Sequence, residues 1–347
     1  MAEYKYLIFD GSYYLMRQLS IAKKSIKVVP ITNSKGELFL NNEGKINFGE
    51  EYNFTYKDVC KTFYWSIIKY IRNIHDCGMP IVVFDKSPYH KLNYLKDYKS
   101  SRIYITQDDV DSFDQDSDPV EYFNLKNEAY AGLQKTEARK WIVNNFPKLG
   151  IPVLIHKGYE GDDLALLFSE RFANESQKCG IVSIDSDWDY LLNPNVDHLK
   201  PNGEVINYDS MMEELNTLKG LSLYQYKSYV DSLFGSHNDL YQTISKDLES
   251  SHYEVIQQIL DNENYVGIED VELFKAQLKS FDIHDYPELD QVKSKIESIL
   301  SDSLLPIPIE KYSSFSKSTE FLVTGSYYSN ALNLIDRTLY GTDVALF

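Results

Sequence analysis

Four short apolar runs, each delivering acid at its end, constrain this chain more than any other feature. Residues 6–9 (YLIF) run into Asp10, and residues 81–84 (IVVF) run into Asp85. Residues 152–155 (PVLI) are followed by Glu160, Asp162 and Asp163, and residues 181–190 (IVSIDSDWDY) break into Asp185 and Asp187. Short β-branched runs bounded by glycine and charge are the pattern of strands buried on both faces of a parallel sheet. On a strand, carboxylates two residues apart point the same way, so Asp185 and Asp187 are expected to share a side. If the four runs lie parallel in one sheet, their acidic ends meet at the edge where open α/β sheets bind ligands. So many carboxylates cannot stay ionised together without a counter-charge. Oxygen-only donors with no histidine or cysteine beside them favour magnesium or manganese over zinc.

The segments between the runs differ in character. Residues 12–20 read as a helix, and residues 56–77 as another, with Val59, Phe63, Ile67, Ile71 and Ile74 near helical spacing. Residues 21–53, carrying Pro30, Asn33, Gly36, Gly44 and Gly49, read as an insertion of hairpins or loops. The most basic run is 86–102 (KSPYHKLNYLKDYKSSR), interleaved with tyrosines. On charge alone it reads equally as an amphipathic surface helix and as a nucleic-acid contact. Residues 107–118 are acidic and poor in apolar side chains, and are expected to form a solvated loop. Residues 121–146 and the segment after Asp163 are expected to be helical, and acids in a first helical turn also suit capping. Beyond the Pro201-Asn202-Gly203 turn the chain reads as mainly helical.

A net charge of −17 excludes a protein that coats nucleic acid through a basic surface. It leaves room for a nuclease whose phosphate contacts are local. No apolar run approaches the roughly 20 residues of a membrane span, and the start, MAEYKYLIFD, lacks the pattern of a secretory signal. Cys60, Cys77 and Cys179 are scattered without C-x-x-C spacing, which fits a reducing, cytoplasmic setting with cysteine as small apolar filler. The 28 tyrosines read first as packing and second as surfaces for stacked bases.

GYEGDD at 158–163 and SIDSDWDYL at 183–191, with Asp10 and Asp85 upstream, resemble in content and order the motifs of the 5′-nucleases. That family includes the flap endonucleases and, nearest in length and motif style, the bacteriophage RNase H type of 5′-3′ exonuclease. The resemblance runs in blocks from Tyr4 to about Lys246. It implies a PIN-like α/β fold: a central, mostly parallel twisted sheet flanked by helices, and a helical C-terminal domain with a helix-three-turn-helix-like region. The expected division is a nuclease domain over 1–205, with the insertion at 21–53 and an arch or bridge over 86–128, and a mainly helical duplex-binding region over 206–347.

Carried over by position, the resemblance implies that Asp10, Asp85, Glu160 and Asp162 surround one Mg2+ and that Asp185, Asp187 and Asp239 surround a second, with Mn2+ able to substitute. Lys99 then approaches the scissile phosphate, Tyr98 lies beside it, Arg102 flanks the backbone, Lys91 takes the second basic arch position, with Lys99, Lys91 and Asp187 the implied catalytic residues, and Lys96 belongs to the same arch. The family's Gly-Asp-x-x-Asp-Asn string is Gly235-Ser236-His237-Asn238-Asp239-Leu240 here, so Asp239 is retained while a potassium site is not carried over. The implied activity is Mg-dependent 5′-3′ hydrolysis of phosphodiesters in flaps, nicks and RNA–DNA hybrids, in primer removal during replication, by a monomer in the host cytoplasm. A nuclease-dead structure-specific binding protein and a PIN-type single-strand ribonuclease are the alternatives. The last apolar-aromatic segment reads as a final helix packed on the body, with docking to a sliding clamp or single-strand-binding protein as the alternative.

Overall fold

The chain was described from a computed structural model, covering residues 4–23, 27–30, 32, 35–38, 48–51, 54–73, 79–87, 89–100, 104–114, 117–214, 220–235, 243, 252–262 and 268–302. Strand β1 (Tyr4–Asp10) leads into helix α1 (Gly11–Lys23). The insertion contributes an antiparallel pair, β2 (Lys27–Pro30) with β3 (Phe48–Glu51), in keeping with the hairpins expected there. Helix α2 (Tyr56–Asn73) and strand β4 (Met79–Phe84) follow. A 3-10 turn at His90–Asn93 precedes α3 (Gln107–Ser112), α4 (Pro119–Asn145) and β5 (Val153–Ile155). Then come α5 (Gly161–Phe172), β6 (Lys178–Val182), a 3-10 helix at Ser186–Leu191, β7 (Val196–Leu199) and β8 (Val205–Ile206). The remainder is helical: α6 (Tyr208–Glu214), α7 (Leu223–Phe234), α8 (His252–Asn262), α9 (Val271–Lys279) and α10 (Leu289–Asp302).

The six-stranded sheet has the order β5-β4-β1-β6-β7-β8. All pairings are parallel except the last, between β7 and β8. The four acid-ended runs are therefore four adjacent parallel strands, as their composition predicts. From β1 the chain builds outward through β4 to β5, then returns to lay β6 on the other side of β1, so the order reverses at β1. The crevice at such a reversal, outside the carboxyl ends of the strands, is where doubly wound sheets hold ligands. Asp10 is the last residue of β1.

Alternation on the strands separates two apolar layers. Leu7 and Phe9 of β1, with Val82 and Phe84 of β4, pack against Leu15, Phe63, Ile67 and Ile142 from α1, α2 and α4. On the other face Ile8, Ile81 and Val83 pack against Leu164 and Phe168 of α5 and against Val292 and Ile296 of α10. Leu7, Ile8 and Phe9 are all fully buried, each worth roughly 1.5–3 kcal/mol relative to exposure. A separate apolar cluster, with Leu233, Ile256 and Phe274, joins α7, α8 and α9. Many tyrosines serve these layers, among them Tyr4, Tyr14, Tyr64 and Tyr159, whereas Tyr104 is 69% exposed. Cys60 and Cys179 are buried and unbridged, as filler would be. Among the described residues no helix is long and apolar enough to cross a membrane.

Three expectations need correction, and residues 196–206 add two strands that no expectation covered. Residues 107–112, expected as a loop, form α3, because the Thr106 side chain caps the helix and Asp109 Oδ2 in turn accepts from the Thr106 N–H at 2.7 Å. The basic run forms a 3-10 turn and further turns over 90–100 rather than a surface helix. The brevity of those two strands hides them from any periodicity. The acid pair 185/187 is not on a strand: β6 ends at Val182, and Asp185 caps the following 3-10 helix by accepting from the Asp187 N–H at 3.0 Å. The expected turn at 236–240 and the last segment from 303 onward lie outside the described residues, as do Asp239, Arg102 and Cys77.

Candidate metal centre

The site grows from the ends of β1, β4 and β6 and from the start of α5. Asp10 is buried; its Oδ1 accepts from the Tyr13 N–H at 2.9 Å and its Oδ2 from the Ser183 hydroxyl at 2.8 Å. Gly11 permits this corner, since a Cβ there would lie 2.6 Å from the Val83 carbonyl oxygen. Burial, with repulsion from Asp85 and Asp185, pushes the Asp10 carboxyl up to about 7 against the two hydrogen bonds. Asp85 Oδ1 accepts from the Gly161 N–H at 2.6 Å, and a Cβ on Gly161 would come within 2.9 Å of that oxygen. Burial and repulsion from Glu160 and Asp162 push Asp85 up as well, with Lys99 opposing.

Glu160 is the hub. Its Oε2 accepts from Lys91 Nζ at 2.6 Å and from the Tyr98 hydroxyl at 2.7 Å, and its Oε1 accepts from Lys99 Nζ. Burial opposes its charge, yet the two lysines hold its carboxyl down at about 2. Asp163 plays the capping part, its Oδ2 accepting from the Glu160 N–H at 2.9 Å. Its other oxygen has no hydrogen-bond partner and faces Lys91 at 3.8 Å. Burial pushes Asp163 up, with repulsion from Asp162 and Glu160 adding to it and Lys91 opposing. Carboxylate oxygens of Glu160, Asp162 and Asp163 lie within 4.8 Å of one another.

Asp185 is exposed and Asp187 partly so. Burial and repulsion from Asp185, Asp162 and Asp231 push Asp187 up to about 6, with Lys227 opposing at 3.4 Å. Mutual repulsion therefore links Asp10, Asp85, Glu160, Asp162, Asp185 and Asp187 into one group, six of the seven expected ligands. Oxygen donors set this close, with Asp10, Asp85 and Asp187 held above the ordinary carboxylate range, fit a hard divalent cation, which would relieve the repulsion.

The basic residues divide. Lys99 reaches Glu160 from a left-handed backbone position, φ 55°, with Nζ 5.1 Å from the ring centres of both Tyr89 and Tyr98. Lys96 is exposed on the same turn. Lys91 and Tyr98, expected to face nucleic acid, are instead buried at 3% and 4% exposure. The reason is charge: Glu160, dehydrated at the helix start, draws both groups inward. A cleft of about 1210 Å³ opens beside Tyr89, Tyr98 and Lys99 and runs between α1 and α4 past Lys126 and Arg139.

Sequence reasoning missed several neighbours of this group. Lys227 and Asp231 of α7 pair with each other and bring the C-terminal helices to Asp187. Ser183 holds Asp10, and its carbonyl accepts from His198 Nε2 at 3.0 Å, while His198 Nδ1 lies 2.5 Å from Asp189. The serine could have been found from the motif itself; the lysine and histidine carry no signal until the fold is known.

No protein-family model matches the chain, and no curated protein matches it in sequence. Solved structures do. The D15 protein of phage T5, co-crystallised with metal ions, matches with a TM-score of 0.53 at 16% identity, over 91% of this chain and 99% of its own. The T5 5′-exonuclease with bound zinc gives 0.47 at 15% identity over 90% and 97%, respectively. The bacteriophage T5 D15 flap endonuclease, in a pseudo-enzyme–product complex with DNA and metal ions, gives 0.44 at 15% over 91% and 98%. The chain thus has the fold of the phage T5 D15 protein, the α/β 5′-nuclease fold that its motifs resemble.

Proposed function

We propose that this chain is a divalent-metal-dependent 5′-3′ nuclease acting on flaps, nicks and RNA–DNA primer ends. One observation carries the reading: six carboxylates from the ends of β1 and β4, the start of α5 and the 3-10 helix after β6 lie at the switch point of a parallel sheet, with Lys99 at their margin. A binding protein would gain nothing from repelling phosphate at its centre. The fold shared with a T5 protein crystallised with metal ions supports the same reading.

Two Mg2+ ions, or Mn2+ in their place, would be held by Asp10, Asp85, Glu160 and Asp162 on one side and by Asp185, Asp187 and Asp239 on the other. When bound, such a pair supplies an activated water and stabilises the leaving oxygen of in-line phosphodiester hydrolysis. The chain's own residues do the positioning. Gly161 and Ser183 orient Asp85 and Asp10 through hydrogen bonds. Lys99, at the mouth of the cleft, meets the phosphate's negative charge. The cleft along α4, with Tyr104, suits a single strand leading to the acids. In this proposal residues 1–205 are the nuclease domain and the helices beyond 206 grip duplex.

The test is product sizing on 5′- and 3′-labelled flap, nicked and RNA-primed duplexes with Mg2+, comparing wild type with Asp187→Asn. Short 5′ products from wild type, reduced at least about 100-fold in the variant, are expected. Intact substrate with undiminished flap binding by wild type would replace this reading with that of a binding protein.

A further inference from the structure

The basic turn brings two lysines to one carboxylate, and they differ in kind. Lys91 Nζ lies 2.6 Å from Glu160 and 3.8 Å from Asp163, and the Lys91 side chain is 4% exposed. Aromatic rings enclose it further: its Nζ is 5.5 Å from the centre of Tyr98 and 5.6 Å from that of Phe281. Phe281 comes from the segment after α9, so two remote parts of the chain, this segment and the start of α5, join the basic turn in closing around one ammonium. Lys99 also pairs with Glu160, but it lines the open cleft. An ammonium caged by two carboxylates and two rings cannot reach a phosphate without opening that cage.

We propose that Lys91 is an internal counter-cation of the acid cluster, a positioning residue that fixes Glu160 and sets the cluster's charge, and that it does not touch substrate. The consequence for metal rests on the nuclease reading; the counter-ion role itself does not. Without Lys91 the buried Glu160 keeps only Lys99 and the Tyr98 hydroxyl and Asp163 loses its nearest cation, which is destabilising, whereas removing both charges of a buried pair together is often close to neutral. A fixed positive charge also repels incoming cations, so the cluster holds divalent metal less tightly than its carboxylates alone would. Weaker holding keeps the metal exchangeable.

The experiment uses the full chain without nucleic acid. Thermal melting in chelator and calorimetric titration with Mn2+ are measured for wild type, Lys91→Met, Glu160→Gln and the double variant. Lys91→Met is expected to lower the metal-free midpoint by on the order of 5–10 °C. The double variant should recover at least half of that loss, because a neutral glutamine needs no counter-ion. Lys91→Met should also bind Mn2+ about fivefold or more tightly than wild type. If Lys91→Met does not fold in chelator, folding of the double variant under the same conditions supports the proposal by itself. Two results would overturn it: a double variant no more stable than Lys91→Met, or a Lys91→Met whose midpoint and Mn2+ affinity are unchanged while flap binding weakens. Neither readout involves cleavage, so a chain without nuclease activity would leave this test standing.

Discussion

At Asp10, burial and charge oppose each other directly. In the folded chain its carboxyl is pushed up to about 7, whereas an unfolded aspartate keeps its ordinary value near 3.8. Below that ordinary value both states carry the proton, and Asp10 contributes its full stability relative to alkaline pH. As pH rises toward 7 the unfolded chain releases its proton while the folded chain holds on, so the Asp10 contribution to metal-free stability falls through this window and levels off above it. The loss attributable to Asp10 is on the order of 4 kcal/mol. Asp10→Asn should flatten this slope, and denaturant melts in chelator at pH 5 and pH 8 would read it. An equal fall in wild type and variant would remove Asp10 as the source. Lys91 teaches a complementary lesson at the same scale. Its type and place were legible in the sequence, but its burial was not, because burial depends on Phe281, which lies 190 residues further along the chain and which no local pattern links to it.

Elements position these residues, and most of them were legible. Four strands announced themselves because β1, β4 and β6 are buried on both faces and need an unbroken apolar run, and the half-buried edge strand β5 carries a similar run. The helices α2 and α4 followed from spacing on the face that packs on the sheet. What stayed hidden had physical causes: α3 exists through a reciprocal cap and one buried residue, Val110, and β7 and β8 are too short for alternation to register. The junction between β1 and α1 offers a prediction. A Cβ at Gly11 would meet the Val83 carbonyl oxygen at 2.6 Å and Val82 Cγ1 at 2.7 Å. Backbone cannot swing away as a flexible side chain does, so Gly11→Ala should push α1 off β4 and cost about 1–3 kcal/mol. Equilibrium unfolding would measure it, and a loss under about 0.5 kcal/mol would mean that the corner is softer than its contacts imply. Because Asp10 is the adjacent residue, the same variant should also disturb the acid group.

At the scale of the whole molecule, the charge of −17 decides how nucleic acid can be held. Part of the basic surface is already matched to acid: Arg171 to Glu175 and Glu297, Lys178 to Asp197, Lys200 to Asp189, Lys279 to Asp282 and Asp285. On the proposed nuclease reading, phosphates would therefore be met in few places, chiefly at Lys99 and along the cleft beside α4. Each phosphate neutralised releases condensed counter-ions, and on duplex the logarithm of the binding constant falls by about 0.9 per contact for each decade of salt. A body with so few local contacts should give a slope of roughly −2 to −4, shallower than that of a protein that coats DNA. Flap binding by Asp187→Asn, which should not cut its ligand, measured between 50 and 200 mM salt, would supply the number. A slope steeper than about −6 would require a continuous basic surface, and the reading of an acidic body with a local phosphate grip would fail.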